Sequence, residues 1–164
     1  MKKILLILIV FVCGSCSFYS FTGASISNNI KTFSVEYFPN KSSLIKAPLS
    51  SIFTEKLKEN FRRQTSLNQT NKDGDLSFSG EITSYIIKPI AIQANETARQ
   101  NRLSITIKVI FTNNYEEKLN FNTNFSRYKD FPADQDLSLI EELYMEQICD
   151  EIVEDIFNKA VVNW

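Results

Sequence analysis

No histidine occurs anywhere in the 164 residues. Serine and cysteine nucleophiles that rely on an imidazole base are therefore excluded, and any metal site would have to be assembled from carboxylates and thiols. Cysteine is almost as scarce, with Cys13, Cys16 and Cys149 making up the whole complement. Two of these sit in a short N-terminal stretch, so the body of the chain has one thiol and no internal disulfide, and its stability must come from packing. Glycine numbers only four, and no glycine-rich phosphate loop, internal repeat or low-complexity tract occurs. Neither charge dominates: 18 basic residues face 19 acidic ones, which offers no electrostatic footprint for nucleic acid. An apolar run of the roughly twenty residues that a membrane-spanning helix needs is also missing.

What the chain does have begins at its N-terminus. Met1, Lys2 and Lys3 precede an apolar run from Ile4 to Val12, followed by Cys13, Gly14, Ser15 and Cys16. A charged start, a short apolar stretch and small residues before a cut make up an export signal. Two cleavage readings follow. A general signal peptidase would release a soluble protein. Alternatively, Gly14-Ser15-Cys16 resembles a lipobox, in which the cysteine is acylated on sulfur and becomes the mature N-terminus. The second is favoured because Gly14 and Ser15 fit a narrow site and no A-x-A pattern follows, whereas bulky Val12 makes Cys13 a poorer acceptor. Acyl chains contribute about 0.8 kcal/mol per buried CH₂, so two or three of them hold a protein on a membrane where one does so marginally. Removal of residues 1–15 leaves 149, enough for one domain with a sizeable core, and takes away Lys2 and Lys3, so the net charge becomes −3.

The expected organisation is a signal peptide over 1–15, a lipidated tether over 16–29 and a single domain over 30–164. The tether carries Phe18, Tyr19 and Phe21, more aromatic surface than a flexible linker needs, so part of it is expected to dock. Alternation of Phe33, Val35 and Tyr37 with Thr32, Ser34 and Glu36 predicts a first strand. Pro48 suits a first helical turn, and Leu49, Ile52, Phe53, Leu57 and Phe61 follow at helical spacing to about Gln64. The polar stretch Thr65–Asp75 reads as a connection, with Asp73-Gly74 a turn candidate. A second strand starts near Leu76, with Leu76, Phe78, Ile82 and Ile86 in one phase; Gly80 in that phase leaves room for a bulge or a close backbone approach, and Pro89 closes the strand. Residues 90–100 read as a projecting hairpin. Leu103, Ile105, Ile107, Val109 and Phe111 then mark a third strand, half-buried, and Leu119, Phe121 and Phe125 a fourth. A final helix is expected from about Leu137, capped by Asp136 or Ser138, with Leu137, Ile140, Tyr144, Ile148, Ile152 and Ile156 as its stripe and Leu143, Val153 and Phe157 beside it. The order β-α-β-β-β-α predicts an α+β two-layer sandwich, a four-stranded sheet with two helices packed on one face.

Candidate chemistry is sparse. Cys149 lies at the margin of the last helix's apolar stripe beside Asp150 and Glu151, which reads as a packed thiol rather than a nucleophile. The helical carboxylates sit on exposed faces where no cleft raises a pKa, so no general acid/base pair is expected and the chain is read as no enzyme. No metal and no cofactor beyond the lipid on Cys16 is implied. Lys88, Arg99, Arg102, Lys108, Arg127 and Lys129 gather near strand ends or polar phases. They read either as ordinary solubility or as contacts for the phosphates of an anionic glycolipid. Thirteen Phe and six Tyr fall mostly on inward phases and read as core, with Trp164 pinning the C-terminus or meeting a partner.

Cys16 followed by Phe18-Tyr19-Ser20-Phe21-Thr22-Gly23-Ala24-Ser25-Ile26 resembles the start of mature LptE lipoproteins of the Bacteroidetes type. Val35-Glu36-Tyr37-Phe38-Pro39-Asn40, Gly80-Glu81-Ile82-Thr83, Pro89-Ile90-Ala91-Ile92-Gln93, Phe125-Ser126-Arg127 and the closing run Glu154 to Trp164 are similar in the same order. The resemblance spans essentially the whole mature chain. It implies an outer-membrane lipoprotein that faces the periplasm or lies within the barrel lumen. Such a protein plugs an LptD-type β-barrel and works with it in moving lipopolysaccharide to the cell surface. No family motif designates ligand contacts, so Arg99, Arg102, Arg127 and Lys129 stand as the candidate lipopolysaccharide patch. Ser17 stands where an inner-membrane retention signal would have Asp, and no acidic run follows to direct surface export. The competing expectation is another periplasm-facing lipoprotein, binding a different ligand or assisting a different envelope machine.

Overall fold

In the computed structural model, residues 26–90 and 99–162 are described. The expected signal segment, residues 16–25 of the expected tether with Cys16, Phe18, Tyr19 and Phe21, residues 91–98 of the expected hairpin, and Trp164 lie outside the described residues. The elements are β1 (Thr32–Val35), α1 (Ala47–Gln64), β2 (Asn68–Thr70), β3 (Leu76–Ile90), β4 (Gln100–Asn113), β5 (Phe121–Pro132) and α2 (Glu141–Phe157). They form a mixed sheet in the order β2-β1-β3-β4-β5, with β1 parallel to both β2 and β3 and the remaining pairs antiparallel. The α+β class and the two helices packed on the sheet agree with expectation. The four-stranded sheet does not: there are five strands, in β-α-β-β-β-β-α order. The additional strand is Asn68-Gln69-Thr70, inside what reads as a connection. It has no apolar alternation and exists through its pairing with Thr32, Phe33 and Ser34, a partner distant in sequence.

One face of the sheet is covered by the helices. Leu103, Ile105, Ile107, Val109 and Phe111 of β4 are buried there, as their alternation predicts. On α1, Leu49, Phe53, Leu57 and Phe61 are fully buried, Pro48 lies in the first turn, and Arg62 and Arg63 end the helix where its dipole favours cations. An aromatic chain threads the core. Phe61 touches Phe33 at 5.5 Å, Phe78 at 4.7 Å and Phe157 at 5.2 Å between ring centroids, and Phe111 continues it to Phe78 and Phe121 at 4.9 and 5.1 Å. Among the described residues most aromatic side chains are thus core.

Three boundaries shift. On β3 the register slips between Ile82 and Ser84, so Tyr85 turns inward, 1% exposed, and Ile86 turns out, 37% exposed. The expected shared phase of Leu76, Phe78, Ile82 and Ile86 therefore breaks at its last member. Leu119 belongs to a 3-10 turn, Glu117–Leu119; β5 starts at Phe121 and runs on to Pro132, with Phe131 buried. The last helix opens with a 3-10 turn at Leu137–Leu139, where Asp136 accepts from the Ser138 N–H at 2.9 Å, and becomes α-helical from Glu141. Its buried stripe is Met145, Ile148, Cys149, Ile152, Val153, Ile156 and Phe157, whereas Leu143 is exposed. A π-helical segment, Asn158–Val162, follows and buries Ala160 and Val161.

Candidate functional site

The upper ends of β4 and β5 carry the basic residues singled out from sequence, and the antiparallel register decides which face each occupies. Arg102 stands opposite Asp130 and Lys88, in the phase away from the helices. Its Nε and Nη2 donate to Asp130 Oδ1 and Oδ2 at 2.7 and 2.8 Å, and its guanidinium carbon lies 3.6 Å from the centroid of the Tyr128 ring. This fork on a carboxylate, stacked on an aromatic face, holds the cation in one pose. The Asp130 hydrogen bonds push the Arg102 pKa up, so the charge is permanent.

Arg127 and Lys129 stand opposite Ile105 and Leu103, in the helix-facing phase at the sheet's edge. Arg127 donates through Nε and Nη2 to Asp155 at 2.7 and 2.6 Å, and Lys129 donates to Glu151 at 2.6 Å. Both acids belong to α2, so what reads as a solvated acidic helix face is partly a clamp onto β5. Arg99 precedes β4 and is exposed beside Pro132, Ala133 and Asp134. The four residues therefore share one end of β4 and β5 but are divided between the two faces of the sheet. Arg127 and Lys129 are brought together; Arg102 is separated from them by the strand's own thickness.

At the same end the N-termini of α1 and α2 meet. Lys46 bonds Glu141 at 2.8 Å, and the buried Tyr85 donates its hydroxyl to Glu141 Oε1 at 2.6 Å. Burial pushes the Glu141 pKa up, but the bonds from Lys46 and Tyr85 outweigh it, and the carboxyl titrates below its ordinary value. Around this knot Leu44, Ile45, Ile87, Leu139 and Leu143 are exposed. Sequence reasoning missed Tyr85 because the bulge reverses its phase; Gly80, flagged for a bulge or close approach, was the available signal.

The Cys149 thiol is packed in the core, as its place beside the apolar stripe predicts. Cys149 is fully buried, and burial pushes its thiol up to about 12, with Asp150 and Glu146 adding to the effect and Lys56 opposing it. Among the described residues no group of three or more Cys, Asp or Glu is placed to hold a metal, and no helix is long and apolar enough to cross a membrane.

A family model described as "LptE: Lipopolysaccharide-assembly" matches residues 30–160. The chain belongs to the LptE family. LptE proteins are non-catalytic lipoproteins, and membership suggests a role in lipopolysaccharide assembly. No curated protein matches this LptE chain. Among solved structures, a minor lipoprotein from Acinetobacter baumannii is 11% identical with a TM-score of 0.54, covering 80% of this chain and 92% of that one. A putative neuraminyllactose-binding hemagglutinin homolog from Helicobacter pylori is also 11% identical, with a TM-score of 0.52 over 86% of this chain and 88% of the other. The rare lipoprotein B from Shewanella oneidensis is 11% identical over 77% of this chain and 93% of that one, with a TM-score of 0.46. At such identities the first two share the fold with this LptE chain and no more.

Proposed function

We propose that this LptE chain, of the Bacteroidetes type, is lipid-anchored to the outer membrane through Cys16. There it plugs and supports an LptD-type β-barrel that delivers lipopolysaccharide to the cell surface. The family match over residues 30–160 carries this reading. A plug must stay beside its barrel, present a stable body, and pass an amphiphile on without trapping it. The acyl anchor serves the first need by raising the effective concentration near the barrel. A sheet backed by two helices and an aromatic core serves the second.

The third need is met by basic groups that are already occupied. Arg102, Arg127 and Lys129 each rest on a carboxylate at the surface, and exposed pairs of this kind contribute about 0–1 kcal/mol. A lipid A phosphate can then exchange with Asp130, Asp155 or Glu151 at small net gain, so contact is made and released readily; Arg99 adds an exposed cation at the same end of the strands. Replacement of Arg99, Arg102, Arg127 and Lys129 together by Ala is expected to weaken lipopolysaccharide binding. Unchanged binding would remove the patch from the mechanism and leave the plug intact.

The decisive experiment is affinity purification of the full-length lipoprotein from detergent-solubilised outer membrane. Recovery of a large β-barrel in stoichiometric amount is expected. Recovery of none would favour a different periplasm-facing lipoprotein, one that binds another ligand or assists another envelope assembly machine.

A further inference from the structure

The hydrogen bond from the Ala133 N–H to the Arg99 carbonyl, 2.9 Å, continues the β4–β5 ladder one step past Gln100↔Pro132 and so reveals its phase. In an antiparallel ladder, pairs that exchange hydrogen bonds alternate with pairs that do not. Counting back from Ala133, residues 131, 129, 127, 125, 123 and 121 bond to β4. Asn122, Asn124, Ser126, Tyr128 and Asp130 therefore aim their N–H and C=O groups sideways, away from β4. β5 is the last strand of the sheet, and among the described residues nothing bonds to these groups.

Folded proteins ordinarily protect such an edge by keeping it short, bulging it, placing Pro in it, or pointing charged side chains into the space a new strand would occupy. The opposite edge is short: β2 is three residues long. β5 spans twelve residues with unbroken register, and its Pro lies at the last position. The two cations that would guard it, Arg127 and Lys129, are folded back onto Asp155 and Glu151 of α2. In the same helix-facing phase Phe121 and Phe125 are only partly buried against the core. The edge thus combines unpaired backbone with incompletely covered aromatic rings.

We propose that the β5 edge is a strand-addition site, taken up by an extended segment of the barrel partner. That segment carries apolar residues in the phase that covers Phe121 and Phe125 and polar residues in the phase beside Asn122, Asn124 and Ser126. A closed barrel wall has no edge to offer, so the occupant is a loop or terminal segment outside the wall. Main-chain bonds supply the attraction, and the alternating side chains supply the choice of register. The proposal rests on the plug reading for the identity of the partner.

Asn124→Pro tests it, because the substitution removes a sideways N–H that bonds nothing in the free domain and leaves the bonds to β4 in place. The full-length variant and the wild type are purified from outer membrane, and residue-resolved hydrogen exchange is recorded on the wild type alone and in its barrel complex. At least a tenfold loss of recovered barrel is expected for Asn124→Pro, and at least tenfold slower exchange of the amides of residues 122, 124, 126, 128 and 130 in the complex. Undiminished recovery by a folded Asn124→Pro, or equal exchange of these amides with and without the barrel, overturns the strand-addition site while the plug reading stands. Should Asn124→Pro not fold, the wild-type exchange decides alone. Failure of the wild type to recover any barrel overturns both.

Discussion

Burial decides the chemistry of Cys149. With no accessible surface and a thiol pushed up to about 12, it is expected to resist a disulfide reagent at pH 8 in the native protein and to react stoichiometrically in denaturant. Rapid labelling without unfolding would contradict the packed-thiol assignment. Glu141 sits on the other side of the balance, because its folded carboxyl titrates below the ordinary value of 4.5. The stability it contributes is present above that ordinary value and is lost as pH falls through the depressed one. Asp75, held down first by the Lys31 N–H against burial and helped by Thr32, contributes with the same sign. Urea melts are therefore expected to show stability falling below about pH 4.5, with a shallower decline in Glu141→Gln; identical acid limbs would rule the residue out. The Lys46 and Tyr85 partners were not legible beforehand, since both contacts join residues more than fifty positions apart.

Among the elements, β3 is where local and tertiary demands conflict. Gly80 has φ near 151°, and a Cβ there would overlap the Lys108 carbonyl oxygen on β4 and press on the Phe38 ring. The close approach expected of a glycine in a strand is therefore real. Backbone strain and overpacking together make Gly80→Ala destabilising by about 2–4 kcal/mol. Equilibrium denaturation measures this directly, and a loss within about 0.5 kcal/mol, the range of an ordinary surface substitution, would contradict it. Two residues on, the slipped register turns Tyr85 toward Glu141, and with it the knot that joins both helix starts. Periodicity identified β4, α1 and most of β3 because each buries a single face over many residues. It failed at β2, which has three polar residues and nothing to alternate, and at the start of the last helix, where Leu137 and Leu143 are apolar yet lie at the margin of the core.

For the molecule as a whole, the proposed plug role depends on the proposed anchor. Mass spectrometry of the mature N-terminus is expected to find Cys16 as the first residue and acylated; a free thiol at that position would leave the domain without its membrane hold. The polar face of the sheet, the two helices on the other face and the β5 edge, unpaired among the described residues, define three different surfaces for one body. The chain's own order of residues determined that α1, β3, β4 and the last helix form where they do and which face of α1 and β4 turns inward, because these depend on neighbours a few positions apart. Which cations share a face, which are neutralised by α2, where a bulge reverses the phase, and that the long strand β5 lies at an edge of the sheet among the described residues were decided only by the tertiary structure. Those outcomes depend on the register between strands and on the docking of α2 beside β5, and both are contacts between residues that no local pattern connects.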